Sequence, residues 1–254
     1  VEKICKRMRT EFIQNPNLPD KKISLCAVQN DAEIIKALNK LGIAALSPEK
    51  DSSLYEEVSC HADMLLCHTG YNKIILAPSQ KKLYNELNKR GFEIIFSEEL
   101  KEAYPADILL NVAVSKSFAC ANFNFSSKIL LKSLQDKPLI NVKQGYTKCS
   151  LCFVSENAYI TEDTGIAAVL RSKGADVLLI EKGDIFLSEK HYGFFGGAAG
   201  KISGNELAVC GKLSTHRNSK VIEEFLYKHC VSPVELCDGQ IRDIGGILPL
   251  TQEI

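Results

Sequence analysis

His61 and Asp63 stand two positions apart, an imidazole that can carry a proton beside a carboxylate that can hold a cation. Cys149 directly follows Lys148, and a neighbouring cation favours the thiolate over the thiol. That pairing predicts a nucleophile at Cys149 with His61 as its proton carrier. Asp243 joins them as the third candidate catalytic residue. Asp63, Asp107, Lys148, Gly196, Gly197 and Arg242 are the candidate substrate-binding residues. Plain structural roles compete with each reading. An aspartate ahead of a strand often caps a turn, Lys148 can pair with a nearby aspartate, and Arg242 with Asp243 can form a polar network.

Other motifs fail on their spacing. Gly196-Gly197-Ala198-Ala199-Gly200-Lys201 lacks the first glycine of a phosphate loop, has Ile202 where the metal-binding hydroxyl belongs, and leads into no helix. Its glycines are better read as points of close backbone approach. Cys149 and Cys152 form one CxxC in a strand-like run, whereas a redox pair sits at a helix N-terminus. Cys60, His61, Asp63, Cys67 and His68 match no zinc spacing. No metal and no cofactor is expected.

The elements that must position these residues repeat. Helical spacing appears at 31–41, 80–90, 127–135, 164–173 and 218–230. Each helix follows one short apolar run and leads into another, and a further strand-like run opens each unit. Asp63–His68, Asp107–Val112, Cys149–Val154 and Ile247–Thr251 are direct openers, and Gly200–Ser203 is a weaker one. The order is strand, strand, helix, strand, repeated at about 42 to 51 residues, a period that signals a propeller or array. The fifth unit is split between Ile247–Thr251 and residues 22–48, so pairing the two chain ends would close a ring and hide its sheet edges. This predicts one α/β domain over 21–254, a five-bladed propeller of ββαβ units. Residues 1–20 form an N-terminal extension, with MRTEFIQNPNLP read as a short helix ended by a turn. Aligning the units sets Asp63, Asp107 and Cys149 at equivalent positions around one end of the axis.

Several stretches resemble the pentein superfamily, the guanidino-group-modifying-enzyme fold. His61-Ala62-Asp63-Met64 resembles a His-x-Asp-Met stretch of agmatine deiminases. The run from Gly245 to Gln252 resembles their C-terminal glycine pair followed by His-Cys and Thr-Gln. The middle of the chain, QGYTKCSLCFV through YGFFGGAAGKI, is similar to an uncharacterised bacterial branch of this fold. The resemblance implies C–N hydrolysis or amidino transfer on a guanidino or amidino substrate, carried by Cys149 and His61. Carboxylates suit that task, since they hold a planar guanidinium through paired charge-assisted hydrogen bonds. The family's nucleophilic cysteine, however, falls at Pro249 here, preceded by Leu248. A non-catalytic ligand- or protein-binding module on the same fold is therefore the alternative.

Lysine plus arginine (31) equals aspartate plus glutamate (31) over 254 residues. That balance argues against a nucleic-acid partner, which calls for a basic excess. No apolar run approaches membrane-spanning length, and the first residues do not read as a signal peptide. Ten cysteines scattered through apolar runs read as reduced, mostly buried thiols of a cytoplasmic protein. The expected partner is a cationic small molecule, and the sequence leaves the oligomeric state open.

Overall fold

Short apolar runs separated by glycine and asparagine turns fold as hairpins, and each hairpin is followed by one amphipathic helix. The computed structural model describes residues 9–254. In chain order the first elements are β1 (Thr10–Phe12), β2 (Ile23–Ala27), α1 (Ala32–Lys40) and β3 (Ala44–Leu46). Next come α2 (Ala62–Leu65), β4 (Leu66–Gly70), β5 (Lys73–Leu76), α3 (Lys81–Asn88) and β6 (Glu93–Phe96). The third group is β7 (Ala113–Val114), β8 (Ala119–Ala121), α4 (Lys128–Ser133) and β9 (Leu139–Asn141). The fourth is α5 (Thr147–Ser150), β10 (Leu151–Ser155), β11 (Ala158–Thr161), α6 (Thr164–Ser172) and β12 (Asp176–Leu179). The last elements are β13 (Ala199–Ser203), β14 (Glu206–Val209), α7 (Ser219–Lys228), β15 (Ser232–Glu235) and β16 (Leu248–Glu253).

Five small sheets share one plan. In four of them the first strand pairs antiparallel with the second, and the second pairs parallel with the third across the helix. The fifth sheet draws on both ends of the chain: β16 lies between β1 and β2, and β2 pairs parallel with β3. Three of the helices carry side-chain N-caps. The Asp31 carboxylate accepts from the backbone N–H groups of Glu33 and Ile34, Ser127 accepts from Leu130, and Asp163 accepts from Ile166. In α1 the helical spacing buries Ile34 and Leu38 completely, each worth about 1.5–3 kcal/mol of burial. No helix among the described residues is long and apolar enough to cross a membrane.

The apolar cores straddle neighbouring sheets. Leu66 and Leu248 share one cluster, and Ala113 shares another with Leu151. β4 contacts β7, β10 contacts β13, and β13 contacts β16.

Three expectations need correction. Thr10–Phe12 is a strand, not part of a helix: it pairs with Thr251–Glu253, and this long-range ladder overrides local propensity. Met8 of that expected helix lies outside the described residues. The openers at Asp63 and Cys149 do not begin as strands. Each starts with one helical turn, α2 or α5, and the strand follows at Leu66 or Leu151. Most of Asp107–Val112 is irregular, with the strand only at Ala113–Val114.

Candidate active site

The two helical turns aim their side chains at one another. All four residues of α2 and all four of α5 are buried, so their polar groups must find partners. Asn111 supplies several. Its Oδ1 accepts from the backbone N–H groups of Lys148 (2.8 Å) and Cys149 (3.3 Å), and its Nδ2 donates to the Asp63 carbonyl (3.2 Å) and lies 3.0 Å from Cys149 Sγ. One amide thus ties α2 to α5. The Cys149 thiol donates to Asp63 Oδ2 at 3.0 Å. Asp63 is in turn anchored through its own N–H, which donates to the Gly245 carbonyl.

Asp243 closes the arrangement from the stretch before β16. Its Oδ2 accepts from Phe194 N–H (2.9 Å) and its Oδ1 from Gly245 N–H (3.0 Å), while Oδ1 faces His61 Nδ1 at 3.7 Å. The structure therefore brings His61, Cys149, Asp243 and Asp63 together. Gly196 and Gly197 serve as close-approach points. A Cβ on Gly196 would lie 2.6 Å from the Cys149 carbonyl oxygen, and one on Gly197 would lie 2.1 Å from Asp243 Oδ1.

Other candidates are placed differently. Asp63 and Lys148 both stand three residues before their strands, so Asp63 is the counterpart of Lys148 rather than of Cys149. Asp107 precedes β7 by six residues and shares no equivalence with either. Its Oδ2 accepts the Tyr146 hydroxyl, which stands between Asp107 and the open space. Lys148 is buried with Nζ donating to the Gly196 carbonyl at 3.4 Å, pointing away from the cavity that Cys149 lines. Arg242 is held elsewhere, by Asp31 (3.1 Å) and Glu33 (2.8 Å) of the α1 start. Pro249 lies within β16 opposite Cys26 and supplies no nucleophile.

A cavity of about 490 Å³ opens over these groups. His61, Cys149, Asp243 and Tyr146 form its floor, and Tyr55, Glu57, Leu187, His191, Tyr192 and Phe194 rise around it. No lysine or arginine is among the described residues that line it. Among the described residues, His61 Nδ1, Asp63 Oδ1, Asp107 Oδ1 and Glu162 Oε2 are buried without a hydrogen-bond partner. Of these four residues His61 lines the cavity, so its Nδ1 is the orphan that a ligand there can satisfy.

The electrostatics overturn one expectation. Burial, then the Asp63 and Asp243 carboxylates, push the Cys149 thiol well above its ordinary range, and Lys148 does not offset them. These surroundings favour the neutral thiol over the thiolate. Burial also raises the Asp243 carboxyl against the opposing pull of His61, with Asp63 adding to the rise. Burial raises Asp107 as well, opposed by the Tyr146 hydroxyl bond. Glu162, whose Oε1 accepts from Phe195 N–H at 2.7 Å, is pushed up to about 8, chiefly by burial. Asn111, Tyr146 and Glu162 were not singled out from the sequence. The one signal for Asn111 is a polar residue inside the apolar run DILLNV, and for Glu162 an acid closing the apolar run AYIT.

No described group of three or more metal-ligand side chains is arranged to hold a metal ion. Residues 25–248 match the model of a Family of unknown function (DUF6873). The chain belongs to this family. A comparison with curated proteins finds no match. Among solved structures, the DUF6873 chain is similar to the inosamine-phosphate amidinotransferase StrB1 of Streptomyces griseus. The identity is 13%, 91% of each chain is covered and the TM-score is 0.56. It is also similar to SxtG, an amidinotransferase of saxitoxin biosynthesis from Microseira wollei, at 9% identity, covering 88% of this chain and 91% of that one, with TM-score 0.54. Agmatine deiminase of C. jejuni follows at 10% identity, 89% and 91% coverage and TM-score 0.52. These enzymes are members of the pentein superfamily, and the DUF6873 chain shares their fold.

Proposed function

We propose that the five sheets are the blades of one closed ring and that the cavity at its axis takes a guanidino or amidino small molecule. The contacts between successive first strands and the cores shared across sheets support the ring. One observation carries the ligand: the floor holds a cysteine thiol amid the carboxylates of Asp63 and Asp243, with no lysine or arginine on the wall. Such a site attracts a planar cation, with Asp243 the carboxylate that lines the floor and Asp63 adding its charge from behind the thiol.

The same charges suggest how Cys149 becomes reactive. A bound cation offsets the carboxylates that hold the thiol neutral, and Asp63 Oδ2 already receives its hydrogen bond. The thiol proton passes to Asp63, and sulfur adds to the central guanidino carbon. The carbon–nitrogen bond then breaks, with His61 protonating the departing amine. Water, or an amine for amidino transfer, then attacks the amidino carbon and gives a proton to His61, the carbon–sulfur bond breaks, and the departing sulfur takes back the proton held by Asp63. Either step regenerates the thiol.

A second reading is ligand binding without chemistry. It is favoured by the neutral thiol and by Pro249 in β16. One experiment separates the two. A cationic haloacetamidine and its neutral haloacetamide counterpart are compared for alkylation of Cys149, where sulfur displaces halide. The enzymatic reading expects the cation to react at least about tenfold faster, the equivalent of about 1.4 kcal/mol of attraction. It also expects the ratio to fall in Asp63→Asn. Equal rates at Cys149 would sink the cysteine mechanism, and guanidinium-induced thermal stabilisation without labelling would select the binding module.

A further inference from the structure

The upper wall of the cavity has a charge pattern of its own. Glu57 stands there with its side chain 29% exposed, flanked by Tyr55 and Tyr192, each about half exposed. His191 is the one group on this upper wall that can carry a positive charge, and its Nδ1 already faces Glu57 Oε1 at 3.6 Å. A ligand carboxylate would meet acidic groups at both ends of the cavity and no lysine or arginine among the described lining residues. An ammonium would meet Glu57 and two tyrosine rings, whose π-systems favour a cation. The apolar middle, contributed by Val58, Leu187 and Phe194, suits a methylene chain joining two polar ends.

We infer that the ligand is a guanidino amine, a dication with a guanidinium or amidinium at the floor and a primary ammonium at the mouth, without a carboxylate. Glu57 selects the distal ammonium. This rests on the guanidino reading of the floor and adds a demand on the opposite end of the molecule. It separates two ligand classes of the same length: an amine is accepted, and the corresponding α-amino acid is disfavoured because its carboxylate has no partner.

Calorimetric titration of the full chain with three probes tests the inference: 4-aminobutylguanidine, n-butylguanidine and arginine. The aminobutyl compound is expected to bind about fivefold tighter than the butyl compound, the scale of a partly exposed charge pair. Arginine is expected to bind more weakly than both. In Glu57→Gln the aminobutyl-to-butyl ratio should collapse to within about twofold. Arginine binding tightest, or a ratio that survives in Glu57→Gln, overturns the assignment of Glu57. Butylguanidine binding as tightly as the amine overturns it too, while leaving the guanidino floor intact. No binding by any probe overturns the guanidino reading itself.

Discussion

Glu162→Gln gives a test of the buried acid behind the cavity wall. Glu162 is 3% exposed, and one of its oxygens has no partner. Burial, with a smaller contribution from Asp243, lifts its carboxyl from 4.5 to about 8. The folded chain therefore holds this proton at pH values where the unfolded chain has lost it. The stabilising effect of the bound proton is complete below 4.5 and is lost as pH rises to about 8. At ~1.36 kcal/mol per pH unit, a window of roughly 3.5 units corresponds to about 5 kcal/mol at most, with about 3 kcal/mol gone by pH 7. Relaxation around the buried charge reduces this. Gln keeps an oxygen for Phe195 N–H and cannot ionise. Urea unfolding of both proteins at pH 5, 7 and 9 reads the effect. The stability of the wild type relative to Glu162→Gln should fall steadily across that range, and other titrating groups cancel in the difference. Any fixed penalty for the new amide shifts all three points equally. A difference that stays flat to within about 0.5 kcal/mol would refute the reasoning.

Two further outcomes follow from the same geometry. Gly197→Ala places a methyl 2.1 Å from Asp243 Oδ1, so Asp243 must leave its backbone donors. Thermal unfolding should show a loss of about 1–3 kcal/mol, a fall of roughly 3–10 °C, and an unchanged melting temperature would contradict the packing at this point. Lys148 is buried, forms no ion pair among the described residues and makes one carbonyl contact at 3.4 Å. Lys148→Met should therefore be neutral or stabilising in urea unfolding, and a loss above about 1 kcal/mol would mean that the ammonium has a stronger partner.

The repeat was legible because helix and strand differ in period and each helix carries its own signal. Asp31 and Asp163 cap their helices with their carboxylates, and Gly42 and Gly174 follow with positive φ. The short turns were not legible. ADML and TKCS are too brief for a 3.6-residue period to show, and they merge with the strands that follow. That loss matters at the site. One helical turn sends Lys148 and Cys149 in different directions, so adjacency in sequence does not become a charge effect on the thiol. Asp107 looked equivalent to Asp63 by spacing alone, yet the irregular stretch after it sets it behind Tyr146. His61, Asp63, Cys149 and Asp243 were legible as a group because each precedes the first strand of a unit. Asn111, which binds two of those units together, was hidden inside an apolar run.

β16 lies between β1 and β2, and that order governs how the chain can be built on a ribosome. Thr251 meets Ser24 across a separation of 227 residues, and Gln252 meets Glu11 across 241. Until Leu248–Glu253 emerge, β1 and β2 have no strand between them, and the apolar side of Leu25 and Ala27 lacks its cover from Leu248 and Leu250. Closing so long a loop adds its entropy late, by roughly 5 kcal/mol from the logarithm of its length. The four sheets in between are local and can form during synthesis, while the fifth waits for translation to reach its central strand. A nascent chain paused before residue 248 would thus carry open β2 edges beside largely folded neighbours, the state in which a holdase chaperone has most to protect.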